Sequence, residues 1–272
     1  MSRLKSVRRV VVGALLMSAF ATTAMTGTAG AIVNGRDSTE RYPFMASLPL
    51  TVPSADNAKG VCGASLIHPR WVVTAAHCVG QGAEGAVLDG TVRVGSDRRT
   101  SGGTVRNIDR VVRHPGYRLG EGAKPNHNDI ALVRLDRPVA EQPIRIANRA
   151  GDPGTPTRLL GFGTTVEGGL PDWKFPERLQ QLDTRRGAES ECAPGFADRT
   201  RLCTISRKPN AMACSGDSGG PQVQRGKWGR WELIGVTWGP GDEGAKCSDG
   251  PGLYTNATAY RGWIQKTINT NR

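Results

Sequence analysis

Apolar and polar positions fall into short runs along most of the chain. Apolar runs occupy residues 44–50, 64–67, 71–74, 91–94, 130–135, 158–162, 231–238 and 252–254, separated by Gly, Pro and polar clusters. Short strands punctuated by turn residues predict an all-β sandwich or barrel. Helical periodicity is good only near the end, from about 259 to 268, and a polar tail follows it. No repeat, low-complexity stretch or obvious linker divides residues 32–272.

The first 31 residues follow a different pattern. Residues 1–9 carry Arg3, Lys5, Arg8 and Arg9 and no acid, residues 10–21 are almost wholly apolar, and small residues then lead to Ala29-Gly30-Ala31. A basic region, an apolar core and an Ala-x-Ala site, in that order, predict a signal peptide over 1–31 and a secreted, extracellular product. A run of 12 apolar residues is too short to span a bilayer, so no membrane association is expected after its removal. Ala24 offers a second cut, which would leave a short propeptide, 25–31.

Composition narrows the function. With 272 residues, 38% hydrophobic and 22% charged, the chain is neither disordered nor too short for a core. Its 36 glycines are far from one residue in three, which excludes collagen. The formal net charge is +12, four of it in the leader. The basic residues are scattered, with no stripe interleaved with aromatics, so they read as a solvated surface and not as a nucleic-acid footprint. The 6 cysteines of an exported chain suggest three disulfides, which sequence alone could pair in fifteen ways. No Cys-x-x-Cys pair is present, and neither a metal nor a cofactor is expected.

Three polar residues stand out from this frame. His77 ends Trp71-Val-Val-Thr-Ala-Ala-His-Cys78, where strand-like residues run into a His beside a Cys. It is either a histidine without chemistry or one whose backbone a disulfide pins. Asp129 opens an apolar run in Asn128-Asp-Ile-Ala-Leu-Val-Arg-Leu135. Its carboxylate is either bonded to local amides or directed toward partners in the interior. Ser218 lies in Cys214-Ser-Gly-Asp-Ser-Gly-Gly-Pro221. Glycines on both sides permit tight turns and leave room for a substrate carbonyl, as an exposed nucleophile with adjacent oxyanion-binding amides requires.

Together these segments resemble the chymotrypsin/trypsin family of secreted serine endopeptidases, in which His, Asp and Ser follow one another in this order. Ile32-Val-Asn-Gly35, Gly161-Phe-Gly163, Thr237-Trp-Gly239 and Pro251-Gly-Leu-Tyr-Thr255 extend the likeness over essentially all of 32–272. The leader and the small size resemble a bacterial member. The resemblance implies two six-stranded antiparallel β-barrels, at about 32–150 and 151–258, and a C-terminal helix over about 259–269. It implies disulfides Cys62–Cys78, Cys192–Cys203 and Cys214–Cys247. It further implies a catalytic triad of His77, Asp129 and Ser218 in the cleft between barrels, with the amides of Gly216 and Ser218 as oxyanion hole. The specificity pocket would be built from Met212, Ala213, Thr237, Gly239 and Gly252. A free Ile32 amine would pair with Asp217. The partners would be protein or peptide substrates, and the family default is a monomer.

Two departures from the family pattern matter. Met212 stands where trypsins carry an Asp, so apolar substrate side chains are expected to be favoured over basic ones. Asp242, Glu243 or Asp249, in or near the long loop after Gly239, could restore a counter-charge. Thr237 is expected to offer its hydroxyl to Asp129. Ala31 precedes Ile32 where zymogens carry Lys or Arg, which points to signal peptidase or a protease favouring small residues. A different class of function, an inactive family member acting as a binding protein, would usually have lost one of the three residues, and all three are present.

Overall fold

The computed structural model describes Met1 and residues 32–80, 86–169, 172–244 and 246–271; the signal peptide and propeptide expected over 1–31 otherwise lie outside the described residues. The strands of the first half are β1 (Arg36–Asp37), β2 (Met45–Val52), β3 (Ala58–His68), β4 (Trp71–Thr74), β5 (Val87–Leu88), β6 (Thr91–Val94), β7 (Thr104–Arg113) and β8 (Ala131–Leu135). The second half holds β9 (Arg145–Ile146), β10 (Pro156–Gly161), β11 (Gln180–Arg186), β12 (Arg201–Ser206), β13 (Pro221–Arg225), β14 (Trp231–Pro240) and β15 (Gly252–Asn256), and ends with helix α1 (Arg261–Thr270).

Two antiparallel rings close. The first runs β2–β3–β4–β8–β7–β6 and back to β2, with β5 added outside β2; the second runs β10–β11–β12–β15–β14–β13 and back to β10. These are the two expected six-stranded barrels. Closure leaves no open edge in either ring, which removes the row of unpaired amides that an open sheet exposes.

The chain crosses between the barrels more than the sequence suggests. β1, expected with the first barrel, pairs with β11 of the second, and β9 lies parallel to β14. Helix α1 closes back over the first barrel, since Ile264 and Ile268 share one core with Trp71, Leu132 and Leu135. That core also contains Leu160, Val223 and Val236 of the second barrel, so the barrels are packed against each other through apolar contact. Burying such a side chain contributes roughly 1.5–3 kcal/mol.

Three strands escape the apolar pattern for a physical reason. β7 alternates half-buried Thr104, Arg106 and Ile108 with exposed residues, so only its period of two marks it. β11 and β13 point buried glutamines inward. Gln222 Nε2 donates to Thr157 and Thr204 hydroxyls at 3.2 and 2.9 Å, and Thr157 and Thr184 hydroxyls lie 2.7 Å apart. The interior of the second barrel is thus partly a polar network in which the Gln222 amide nitrogen is satisfied by two threonine hydroxyls, while among the described residues Gln222 Oε1 and Gln180 Oε1 meet no hydrogen-bond partner.

Disulfides join Cys62–Cys78, Cys192–Cys203 and Cys214–Cys247. Each constrains the unfolded chain, and is worth roughly 2–4 kcal/mol.

Candidate active site

His77 and Asp129 meet because of strand pairing. Thr74 pairs with Ala131 in the β4–β8 ladder, so the residues just beyond that end of both strands are neighbours. After β4 the chain makes one short 3-10 turn, Ala76–Cys78, and the Cys62–Cys78 disulfide anchors it. On the other side, Asn128 takes φ 49° and is held by its side-chain bonds to Gly116 O and Tyr260 Oη. Asp129, 1% exposed, then directs both oxygens at one residue: Oδ1 accepts the His77 backbone N–H at 2.8 Å, and Oδ2 lies 2.5 Å from His77 Nδ1. Burial pulls the His77 pKa down, but the Asp129 charge and hydrogen bond outweigh it, so the imidazole titrates above its ordinary value.

The Ser218 loop is fixed by its backbone. Gly63 N donates to Ser218 O at 2.7 Å, Gly219 N to Thr237 O at 2.9 Å, and Gly220 N to Asp217 O at 2.9 Å. Gly216 takes φ 92°, which a side chain would resist, and Phe175 occupies the space a Cβ would need. Among the described residues the amides of Gly216 and Ser218 donate to no protein acceptor. They lie free beside the nucleophile position, as an oxyanion site requires. Ser218, Gly216 and His77 line one cavity of about 210 Å³.

Asp217, beside the serine, is 1% exposed. Its carboxylate accepts Gly163 N and Cys214 N, both at 2.9 Å. Gly161 and Gly163 are glycines because the carboxylate rests where their Cβ atoms would be. Burial pushes the Asp217 carboxyl up to about 7, against the pull of those two amides. Ile32, fully buried, packs with Met212 and Tyr254 in the second barrel. With residue 31 attached its nitrogen is a peptide amide and supplies no charge.

A pH dependence follows for the chain with residue 31 attached. The folded pKa of Asp217 lies above the ordinary 3.8, so this group favours folding fully below about 3.8. That contribution is lost as pH climbs to about 7, on the order of 4 kcal/mol in all. Urea unfolding of the Ser218→Ala chain at pH 4 and 7, compared with the same chain carrying Asp217→Asn, isolates it. The Asp217 chain should lose more stability over that interval; equal losses would exclude an unpaired buried carboxyl.

A second cavity of about 220 Å³ opens beside Ser218, lined by Met212, Ala213, Thr237 and Gly239. Met212 also forms a bridge to Val33, and Tyr254 Oη lies 3.9 Å from its sulfur. A register shift between Thr237 and Gly239 bends β14 at this wall. Three expectations change here. Gly252 does not line the cavity but sits behind it, against the Met212 thioether. The Thr237 hydroxyl donates to Gly220 O at 3.0 Å and not to Asp129, whose backbone oxygen instead accepts from Thr255 Oγ1 at 2.9 Å. None of Asp242, Glu243 and Asp249 lines the cavity, and Glu243 Oε1 pairs with Lys124 Nζ at 2.7 Å.

Sequence reading missed other wall residues. Lys246, beside Cys247, lines the second cavity and is its one charged lining residue among the described residues. Leu50, Val52, Val61 and Trp173 line the cavity at His77. In sequence these last four look like ordinary strand or loop residues, and only barrel packing brings them to Ser218. Among the described residues no three His, Cys, Asp or Glu side chains could hold a metal ion, and no helix is long and apolar enough to cross a membrane.

Comparison with known proteins agrees with this geometry. The family model described as trypsin matches residues 32–264. A trypsin of Sarcophaga bullata is 32% identical, over 96% of this chain and 98% of its own. Human kallikrein-7 is 32% identical over 78% of this chain and 79% of its own. The structure of neuropsin, a serine protease expressed in the limbic system of mouse brain, superposes with TM-score 0.70 at 28% identity, over 87% of this chain and all of that one.

Proposed function

The chain belongs to the trypsin family and is a serine endopeptidase, and from that premise we propose that it works, after export, through Ser218, His77 and Asp129 on peptide bonds that follow apolar residues. The observation that carries this reading is His77, held by two hydrogen bonds to a buried Asp129 and lining one cavity with Ser218 and two free amides.

Ser218 Oγ attacks the substrate carbonyl carbon as its proton passes to His77 Nε2. Asp129 keeps the Nδ1–H tautomer and stabilises the imidazolium. The carbonyl π electrons move to oxygen, and the Gly216 and Ser218 amides hold that oxyanion. Collapse breaks the C–N bond, and His77 gives its proton to the leaving amine. Water then attacks the acyl-enzyme by the same route and releases the acid and Ser218. Activation is read as release of the Ile32 ammonium, which would supply the counter-charge Asp217 lacks. Ile32 has φ 65°, an uncommon value for a β-branched residue, at the junction where that cut would fall. The leader supports export, and the monomer remains the family default; the bacterial affiliation rests on leader and size alone, as the relatives named above come from a fly, human and mouse.

Specificity follows from the second cavity. A basic substrate side chain would find a thioether at the base and a lysine in the wall, with no carboxylate lining the cavity among the described residues. Burying an unpaired cation is strongly unfavourable. In a series of peptides differing only at the residue before the scissile bond, Leu or Met should exceed Arg in kcat/KM by at least about 100-fold. Equal or better turnover of Arg would overturn the apolar reading and leave the triad standing.

A further inference from the structure

The basic residues that are scattered in sequence are partly gathered by the fold. A groove of about 520 Å³, larger than either cavity at Ser218, runs between β1, β10, β11 and the β13–β14 hairpin. It shares no lining residue with those two cavities. Among the described residues Arg36, Arg158, Arg207, Lys208 and Arg225 line it, against a single acid, Asp183.

These groups form a row of alternating charge. Asp183 bridges Arg36 at 2.6 Å and Arg158 at 2.7 Å. Glu40 continues the row, to Arg158 at 2.6 Å and Arg225 at 3.2 Å. Burial opposes ionisation of both carboxyls, but hydrogen bonds and charge from these arginines, with Trp231 at Glu40, hold both below the ordinary carboxyl range. Arg225 stacks 3.6 Å above the Trp231 ring. Among the described residues Lys208 Nζ meets only a backbone oxygen, that of Asn34, and Arg207 pairs with no carboxylate. The row therefore keeps an excess of positive charge that its own acids do not neutralise.

The adjoining hairpin adds an aromatic. Arg225 Nη1 donates to Gly229 O at 2.7 Å, tying the hairpin tip to the groove. At that tip Trp228 is 93% exposed and takes φ 66°, between Lys227 and Arg230. A fully solvated indole in a left-handed conformation contributes nothing to the core.

We propose that this groove and the Trp228 tip form a binding site for a sulfated polysaccharide. Guanidinium groups suit sulfate esters, which they meet through paired N–H donors. Ionised Asp183 and Glu40, set between the arginines, accept hydrogen bonds, and sugar hydroxyls can donate them. A DNA backbone has no donors and would meet these carboxylates only with repulsion. The exposed indole offers a flat apolar face for a sugar ring.

Calorimetry of the full active chain at about 150 mM salt, where long-range attraction is screened, tests this. The probes are a heparin-derived octasaccharide, its fully desulfated form, and single-stranded DNA of matched charge. The sulfated octasaccharide should bind at least about tenfold tighter than the other two. Arg207→Glu and Lys208→Glu should each weaken it about tenfold, and Trp228→Ala severalfold. All three variants should hydrolyse a short peptide ester at the parent rate, which certifies their fold. No binding of the octasaccharide, equal binding of DNA, or unchanged affinity in both charge-reversal variants would overturn the proposal.

Discussion

Replacing Ser218 with Ala should lower peptide turnover by about 10⁴–10⁶-fold, because a triad of the proposed kind acts as a unit. The loop survives this change. It is held by backbone bonds, from Gly63 N to Ser218 O and from Gly219 N to Thr237 O, which no side chain at 218 is needed to make. Loss of one exposed-side hydroxyl should alter stability by less than about 0.5 kcal/mol. Steady-state hydrolysis and a urea unfolding curve on the same preparation separate the two effects. A Ser218→Ala protein with parental turnover would remove the nucleophile from the mechanism; one that fails to fold would contradict the backbone origin of the loop.

The second large effect is expected at Asp129. Its two oxygens accept from two donors of the same residue, the His77 amide and the imidazole Nδ1–H. Asparagine has one acceptor oxygen and an NH₂ group. If its oxygen keeps the backbone N–H, its NH₂ donates to Nδ1 and forces the proton onto Nε2. That tautomer cannot take the Ser218 proton. Asp129→Asn should therefore cost about 10⁴-fold in kcat at neutral pH, as loss of the correct tautomer does in the triad generally.

The pH profile distinguishes this from mere misfolding. With His77 as the proposed base, catalysis would need its neutral form, so kcat/KM should rise with pH through its pKa in the free enzyme. In the parent, burial lowers that pKa but Asp129 raises it further, above the usual imidazole range. With Asn only the burial contribution remains. The residual activity should rise at lower pH than in the parent; an unchanged midpoint would show that Asp129 does not set the His77 proton.

What was legible in the sequence follows from where the determinants lie. The runs at 71–74 and 91–94 coincide with β4 and β6, because both are buried or cleanly alternating strands. β11 and β13 carry buried glutamines whose partners lie elsewhere in the chain, Asp37 for Gln180 and Thr157 and Thr204 for Gln222, so no local pattern marks them. The helix begins at Arg261 because the preceding residues, Ala257–Tyr260, form a 3-10 turn capped by Asn256. His77, Asp129 and Ser218 could be singled out because each sits in a short segment whose neighbours fix the backbone. The partner of Thr237, the Lys246 wall and the arginine row could not. They depend on which strands become neighbours when two rings close.

The most direct measurement is chemical. A fluorophosphonate, reacted with the active chain and mapped by tandem mass spectrometry, should place one adduct per chain on Ser218. The His77→Ala variant should remain unlabelled under the same conditions. An adduct on Ser215 or any other residue, or no adduct on a preparation that hydrolyses peptides, would contradict Ser218 as the nucleophile.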